Sequence, residues 1–135
     1  MRLEISDRIH WLGHLNDRVV YLDALAACDL FVFPSPAEGF PKVVLDSMAV
    51  GLPVLATPTG SLRELAAANL IGSMRPSPGS VARAIRELVA RSGRAVELRE
   101  AGTAFAANHT RTAEARRLVA DWRHHFPGLP WPTDA

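Results

Sequence analysis

Two unbroken apolar runs flank one helix-length segment, and that arrangement limits what the chain can fold into more than any other feature. Leu30-Phe31-Val32-Phe33 ends at Pro34, and Val54-Leu55-Ala56 follows the turn formers Gly51-Leu52-Pro53. A run without polar alternation suits a parallel strand covered on both faces. Between the runs, Val44, Leu45, Met48 and Ala49 recur at helical spacing. Pro41 suits a first helical turn, where its missing N–H would be unsatisfied anyway, and Gly51 with Pro53 stops the helix. Strand, helix and strand in this order imply a parallel pair joined by a right-handed crossover.

The alternation extends in both directions. Residues 8–12 read as a short strand stopped by Gly13, and Asn16 or Asp17 can cap a helix over 18–27 with Val19, Leu22, Leu25 and Ala26 on its apolar side. After the Thr57-Pro58-Thr59-Gly60 loop, Ser61 and Glu64 have the spacing of a capping box for a helix to Ala67. Residues 72–75 form a weak further strand, and helices are expected over 80–91, 95–107 and 112–124. The class is therefore α/β, a Rossmann-like parallel sheet with a helical carboxyl-terminal third. A chain of 135 residues fits one domain, here residues 1–126, followed by a proline-rich tail over 127–135 that lies across the surface.

Composition removes several functions. Fifteen basic and 14 acidic residues nearly cancel, and no basic stripe is interleaved with aromatics, so nucleic acid is not an expected partner. Cys28 is the only cysteine, which excludes an internal disulfide and a Cys-rich zinc site and points to a reducing, cytoplasmic setting. His10 and His14 are separated by Gly13, and His124 and His125 are adjacent, so neither pair has ligand spacing and no metal is expected. Residues 1–9 lack the apolar region of a secretory signal, and no window approaches the roughly 20 apolar residues that span a bilayer. The arginines at 83, 86, 91, 94 and 99 read as solvated helix faces, with peripheral contact to an anionic membrane left open.

Chemistry concentrates around the central helix. Glu38 precedes it and Asp46 lies within it, eight positions apart. Eight residues of helix rise about 12 Å, too far for two carboxylates to work on one bond but suited to gripping two ends of an extended ligand. The amides of Gly39, Phe40 and Lys42 approach the helix start, where free N–H groups and the macrodipole favour an anion, and Gly39 allows close backbone approach. Lys42 either adds charge there or is a solvated surface lysine. An anionic centre between two hydroxyl-rich groups describes a nucleotide sugar. Ser35 has no His or acidic partner arranged for nucleophilic work. No G-x-G-x-x-G follows a strand, which disfavours a dinucleotide oxidoreductase.

These residues resemble the donor-binding motif of the group 1 retaining glycosyltransferases of the GT-B fold, which carries two glutamates eight apart in a P-S-x-x-E-G-F…E-A-M-A-x-G-x-P-V setting. Here the counterparts are Pro34-Ser35, Glu38-Gly39-Phe40, Asp46-Ser47-Met48-Ala49, Gly51 and Pro53-Val54. Ile9-His10-Trp11-Leu12-Gly13, Ala27-Cys28-Asp29, Thr59-Gly60 and Glu64 extend the resemblance to nearly the whole of 8–126. It implies that Glu38 is the catalytic-site carboxylate on the donor sugar, with Gly39, Phe40, Pro41 and Lys42 beside the sugar and phosphates. Asp46, a glutamate in most members, would hold the ribose, Gly13 and His14 would lie near the base, and Thr59 and Gly60 would line the pocket. The partners implied are a nucleoside-diphosphate sugar, with no further cofactor, and an unidentified acceptor. Members also carry an amino-terminal acceptor domain and an upstream Arg and Lys that neutralise the diphosphate. By this resemblance the chain is a truncated donor domain lacking its first two strands, a fragment or half of a split enzyme completed by an upstream chain, and inactive alone. The alternatives are a non-catalytic nucleotide-sugar binding remnant and a GT-B-type sugar epimerase.

Overall fold

The computed structural model of the protein describes residues 5–131. Three strands, β1 (Phe31–Phe33), β2 (Val54–Ala56) and β3 (Gly72–Ser73), form one parallel sheet in the order β1-β2-β3. Phe31 pairs with Val54, Phe33 with Ala56, and Leu55 with Gly72. The helices are α1 (Arg18–Ala26), α2 (Lys42–Ala49), α3 (Leu62–Ala67), α4 (Pro78–Ala90), α5 (Arg94–Asn108) and α6 (Arg111–His125). The α/β class and the helical carboxyl-terminal third are as the sequence implies.

Side-chain alternation along the strands sorts the core into two layers. Val54 and Ala56 of β2 join Val44 and Met48 of α2 and Leu62 and Leu65 of α3 on one face. Leu55 points the other way, into a cluster with Met74, Ala84 and Leu88 of α4, and Leu98 of α5. Helix α5 serves both layers, because Phe105 and Ala106 pack on the first cluster. Gly72 makes this possible at β3: a Cβ there would stand 2.4 Å from a Leu55 methyl.

Two helices stop on the same device. Val50 is the C-cap of α2, Gly51 has φ +83°, and the N–H groups of Gly51 and Leu52 bond to the Met48 and Ser47 carbonyls at 3.0 and 2.9 Å. This Schellman pattern satisfies carbonyls that the helix would leave free. Asn69, with φ +57°, repeats it after α3, its N–H and that of Leu70 bonding to Ala66 and Leu65.

Several local expectations are corrected. Residues 8–12 form no strand: Ser6–Arg8 is a short 3₁₀ turn and the chain then runs irregularly to Asp17. A strand needs a ladder partner, and among the described residues no strand lies on the outer edge of β1. For the same reason the outer side of α1 stays open: of its expected apolar residues, Val19 is 66% exposed, Ala26 is exposed, and Leu22 and Leu25 are half-buried. Pro41 stands at the N-cap of α2, one position before the first turn. Ser61 and Glu64 do not form a capping box, since Ser61 makes no capping bond and turns its hydroxyl elsewhere. Helix α4 begins at Pro78, so Ser80 lies inside it. Of the tail, Leu129 and Trp131 fold back on the end of α6, where the Trp131 indole donates to the Phe126 carbonyl at 2.9 Å. Residues 1–4 and 132–135 lie outside the described residues.

The packing of α2 on α5 is tight. Met48 is 1% exposed, and a Cβ on Gly102 would come within 3.1 Å of its Cγ. Met48→Ala should therefore lower unfolding free energy by about 2–5 kcal/mol, the range for buried large-to-small changes, measured by chemical denaturation.

Candidate functional site

The loops after β1 and β2 meet at the carboxyl-terminal ends of the strands, where open parallel sheets bind ligands. Their junction is a backbone contact. Gly60 has φ +53°, and a Cβ built there would lie 1.9 Å from the Glu38 carbonyl oxygen and 2.8 Å from that of Gly39. Only glycine allows both the conformation and the approach. Ser61 then fastens the junction, its N–H and hydroxyl both donating to the Gly39 carbonyl at 3.1 and 2.8 Å. Thr59 holds the other side, accepting from the Leu62 amide at 3.0 Å.

The Glu38–Gly39 loop is thereby set just before α2. Pro41 caps the helix without a side-chain bond, so Lys42 and Val43 present first-turn amides with no capping acceptor. Phe40 is 61% exposed and Lys42 is exposed. A Cβ on Gly39 would meet nothing within 4 Å, so the space above this loop is open. Glu38 is half-buried.

Asp46 is the fifth residue of α2, about 6 Å along the axis from its start, and is bound from α1. Arg18 donates to both its oxygens, Nη1 to Oδ2 at 2.8 Å and Nη2 to Oδ1 at 2.6 Å, and the Tyr21 hydroxyl donates to Oδ2 at 3.1 Å. The guanidinium also lies 5.2 Å from the Tyr21 ring centroid. Asp17 fixes the origin of α1 by accepting from the Val19 and Val20 amides. The Arg18 hydrogen bonds hold the Asp46 carboxyl below the usual carboxylate range, against an opposing effect of burial. Burial and then the Asp46 charge push the Tyr21 phenol up.

Beside this cluster is a cavity of about 620 Å³ whose walls include Gly13, His14, Asn16, Arg18, Tyr21 and Phe31. The sequence-selected residues thus fall into two groups joined by α2. Glu38, Gly39, Thr59 and Gly60 meet at its mouth, while Gly13 and His14 line the cavity whose Arg18 and Tyr21 hold Asp46. The sequence reading does not select Arg18 or Tyr21, and it gives Ser61 only the role of a helix cap. Arg18 and Tyr21 are three apart and so share a helix face, but nothing local links them to an aspartate 28 and 25 positions away. Among the described residues no group of His, Cys, Asp and Glu could hold a metal ion, and no helix is long and apolar enough to cross a membrane.

Two outcomes follow from this geometry. Gly60→Ala should cost on the order of 2–3 kcal/mol, because a methyl cannot coexist with the Glu38 carbonyl, read as a lowered melting temperature. For Asp46, the folded pKa is below the unfolded value of about 3.9, so its stabilisation is present above that value and is lost as pH falls through the lower folded one. The melting-temperature gap between the parent and Asp46→Asn should accordingly be open at about pH 7 and narrow below about pH 4.

A family model described as glycosyl transferases group 1 matches residues 1–91. Among curated proteins, the GDP-mannose-dependent alpha-(1-6)-phosphatidylinositol dimannoside mannosyltransferase of Mycobacterium tuberculosis is 31% identical over 86 residues, 64% of this chain and 23% of that protein. A lipopolysaccharide core biosynthesis mannosyltransferase of Rhizobium meliloti is 39% identical over 69 residues, 46% of this chain and 19% of the relative. The N,N'-diacetylbacillosaminyl-diphospho-undecaprenol alpha-1,3-N-acetylgalactosaminyltransferase of Campylobacter jejuni is 40% identical over 52 residues, 38% of this chain and 13% of the relative. The matched stretches span about a quarter or less of each relative's length. With two thirds of its residues matched by that family model, on a parallel sheet flanked by helices, the chain belongs to the group 1 glycosyl transferases.

Proposed function

We propose that this chain is the donor-binding part of a retaining, metal-independent glycosyltransferase of the GT-B type. The complete enzyme would move a sugar from a nucleoside diphosphate to an acceptor hydroxyl. The observation that carries the reading is the uncapped amino terminus of α2, with the Glu38–Gly39 loop pinned before it and Asp46 one turn inside it.

In this reading the first-turn amides of α2 and its macrodipole face the diphosphate and stabilise the charge that grows as it departs. Glu38 accepts from hydroxyls of the donor sugar, with Gly39 and Phe40 amides alongside. Asp46 accepts from the ribose. An ionised carboxylate has about four acceptor positions, of which Arg18 takes two and Tyr21 one. A ribose hydroxyl enters at the remaining position or displaces the Tyr21 hydroxyl, the longest bond of the three. The Arg18 fork compensates for the missing methylene of aspartate by fixing the carboxylate from behind. Gly13 and His14 lie along the cavity that would take the base. The relatives' names include transfer of mannose and of N-acetylgalactosamine, which leaves donor and acceptor identity to experiment.

Calorimetric titration of the chain with a panel of nucleoside diphosphates and their sugars tests this. Binding should weaken about 10- to 100-fold in Glu38→Ala and Asp46→Ala, the loss expected when hydrogen bonds to a charged group are removed. Absence of binding across the panel, or equal affinity in both variants, would sink the reading.

A further inference from the structure

A second cavity, of about 430 Å³, opens at the carboxyl-terminal ends of β2 and β3 against the first turn of α4. Its walls include Thr57, Ser73, Arg75, Ser80 and Arg83, and none of its lining residues is acidic. The nearest carboxylate to Arg83 is that of Glu87, 3.8 Å away with both side chains more than half exposed, a loose surface pair that competes weakly with a ligand.

Donors line this space from α4, from Thr57 just after β2 and from Arg75 just after β3. On α4, the N-cap Ser77 makes no side-chain capping bond and Pro78 has no N–H, so the Gly79 and Ser80 amides have no capping acceptor. The surroundings of Gly79 are open: beyond its chain neighbours and the backbone of α4, no atom lies within 4 Å of where a Cβ would stand. Ser80, 7% exposed, accepts from the Arg75 amide at 2.9 Å, which leaves its hydroxyl proton to donate. Just after β2, Thr57 is 9% exposed and its Oγ1 has no hydrogen-bond partner. A buried hydroxyl without a partner is costly, and a ligand oxygen in the adjoining cavity would relieve it.

We propose that this cavity binds a phosphoryl group. Two guanidiniums, a helix amino terminus and two hydroxyls offer more donors than a carboxylate's two oxygens can use. A phosphoryl group brings three oxygens and a charge of about −1.5 to −2. The site is separate from the Glu38 and Asp46 cluster but adjoins it, because Thr57 begins the loop whose Gly60 rests on Glu38. The group could belong to the donor or to a second phosphorylated molecule, and the two sources share this chemistry.

Backbone amide shifts of the isotopically labelled chain, titrated with inorganic phosphate, a hexose 6-phosphate and a nucleoside diphosphate, provide the test. Inorganic phosphate and the hexose phosphate should move the Arg75, Gly79 and Ser80 amides saturably. Arg75→Gln with Arg83→Gln should weaken this at least tenfold, and Thr57→Val several-fold, while Glu38→Ala and Asp46→Ala leave it unchanged. Both arginines are exposed, so the double variant keeps the parent's melting temperature. If the diphosphate moves these amides only while Asp46 is intact, the donor supplies the group. If the hexose phosphate still binds under saturating diphosphate, the ligand is a second molecule. No saturable shift at Gly79 and Ser80, or an unchanged affinity in the double variant, overturns the proposal. Because Glu38→Ala and Asp46→Ala leave the response to inorganic phosphate and the hexose phosphate unchanged, failure with those two probes would leave the donor-binding reading standing, and failure of that reading would leave this site standing.

Discussion

The contact between Gly60 and the carbonyls of Glu38 and Gly39 is the constraint on which the candidate site rests. It joins the loop leaving β1 to the loop leaving β2, and no residue with a side chain can take its place. Parallel strands force this meeting: each crossover must leave from the same end of the sheet, so the loops that open α2 and α3 are neighbours by topology. Ser61 turns neighbourhood into attachment by spending both its donors on one carbonyl. The position of the Glu38 backbone is thus a consequence of sheet order, not of any preference of residues 34–41.

The sequence made the sheet, the central helix and the Glu38–Asp46 pair legible because each signal there is local and mutually consistent. Apolar runs marked β1 and β2, periodic Val44 and Met48 marked the buried side of α2, and Gly51 marked its end. What misled was also local. Residues 8–12 carry a strand-like pattern, but a strand is a property of two segments, and the outer edge of β1 has no partner among the described residues. Ser61 and Glu64 have capping-box spacing, yet the Ser61 hydroxyl finds a better-placed acceptor 22 positions back. The helix expected from residue 80 begins at Pro78, and the Ser80 hydroxyl inside it anchors the chain leaving β3 through the Arg75 amide. In each case a tertiary hydrogen bond, or the lack of one, outweighed the sequence spacing.

Arg18 and Tyr21 show why side-chain partners are harder to read than elements. Their spacing places them on one face of α1, and an arginine there is ordinarily a solvated charge. It becomes part of the site only because α1 packs along α2, bringing a guanidinium fork within 2.8 Å of each Asp46 oxygen. Asp46, which the resemblance leads one to expect as a glutamate, is the residue with this additional support. A shorter carboxylate reaches less far, and a bidentate partner restricts the orientations it can sample.

The two carboxylates are therefore held by different physics, and this bears on how the site can respond to its surroundings. The Glu38 loop is tied by backbone packing and neutral hydrogen bonds, which salt and mild acid leave intact. Asp46 is tied by a charge pair whose arginine side chain is 62% exposed, so mobile ions screen it and an anionic ligand competes with it. A diphosphate arriving at α2 brings negative charge toward that same guanidinium. Under the proposed reading, the Glu38 end of the candidate site would remain fixed while the Asp46 end loosens or re-forms with ionic strength.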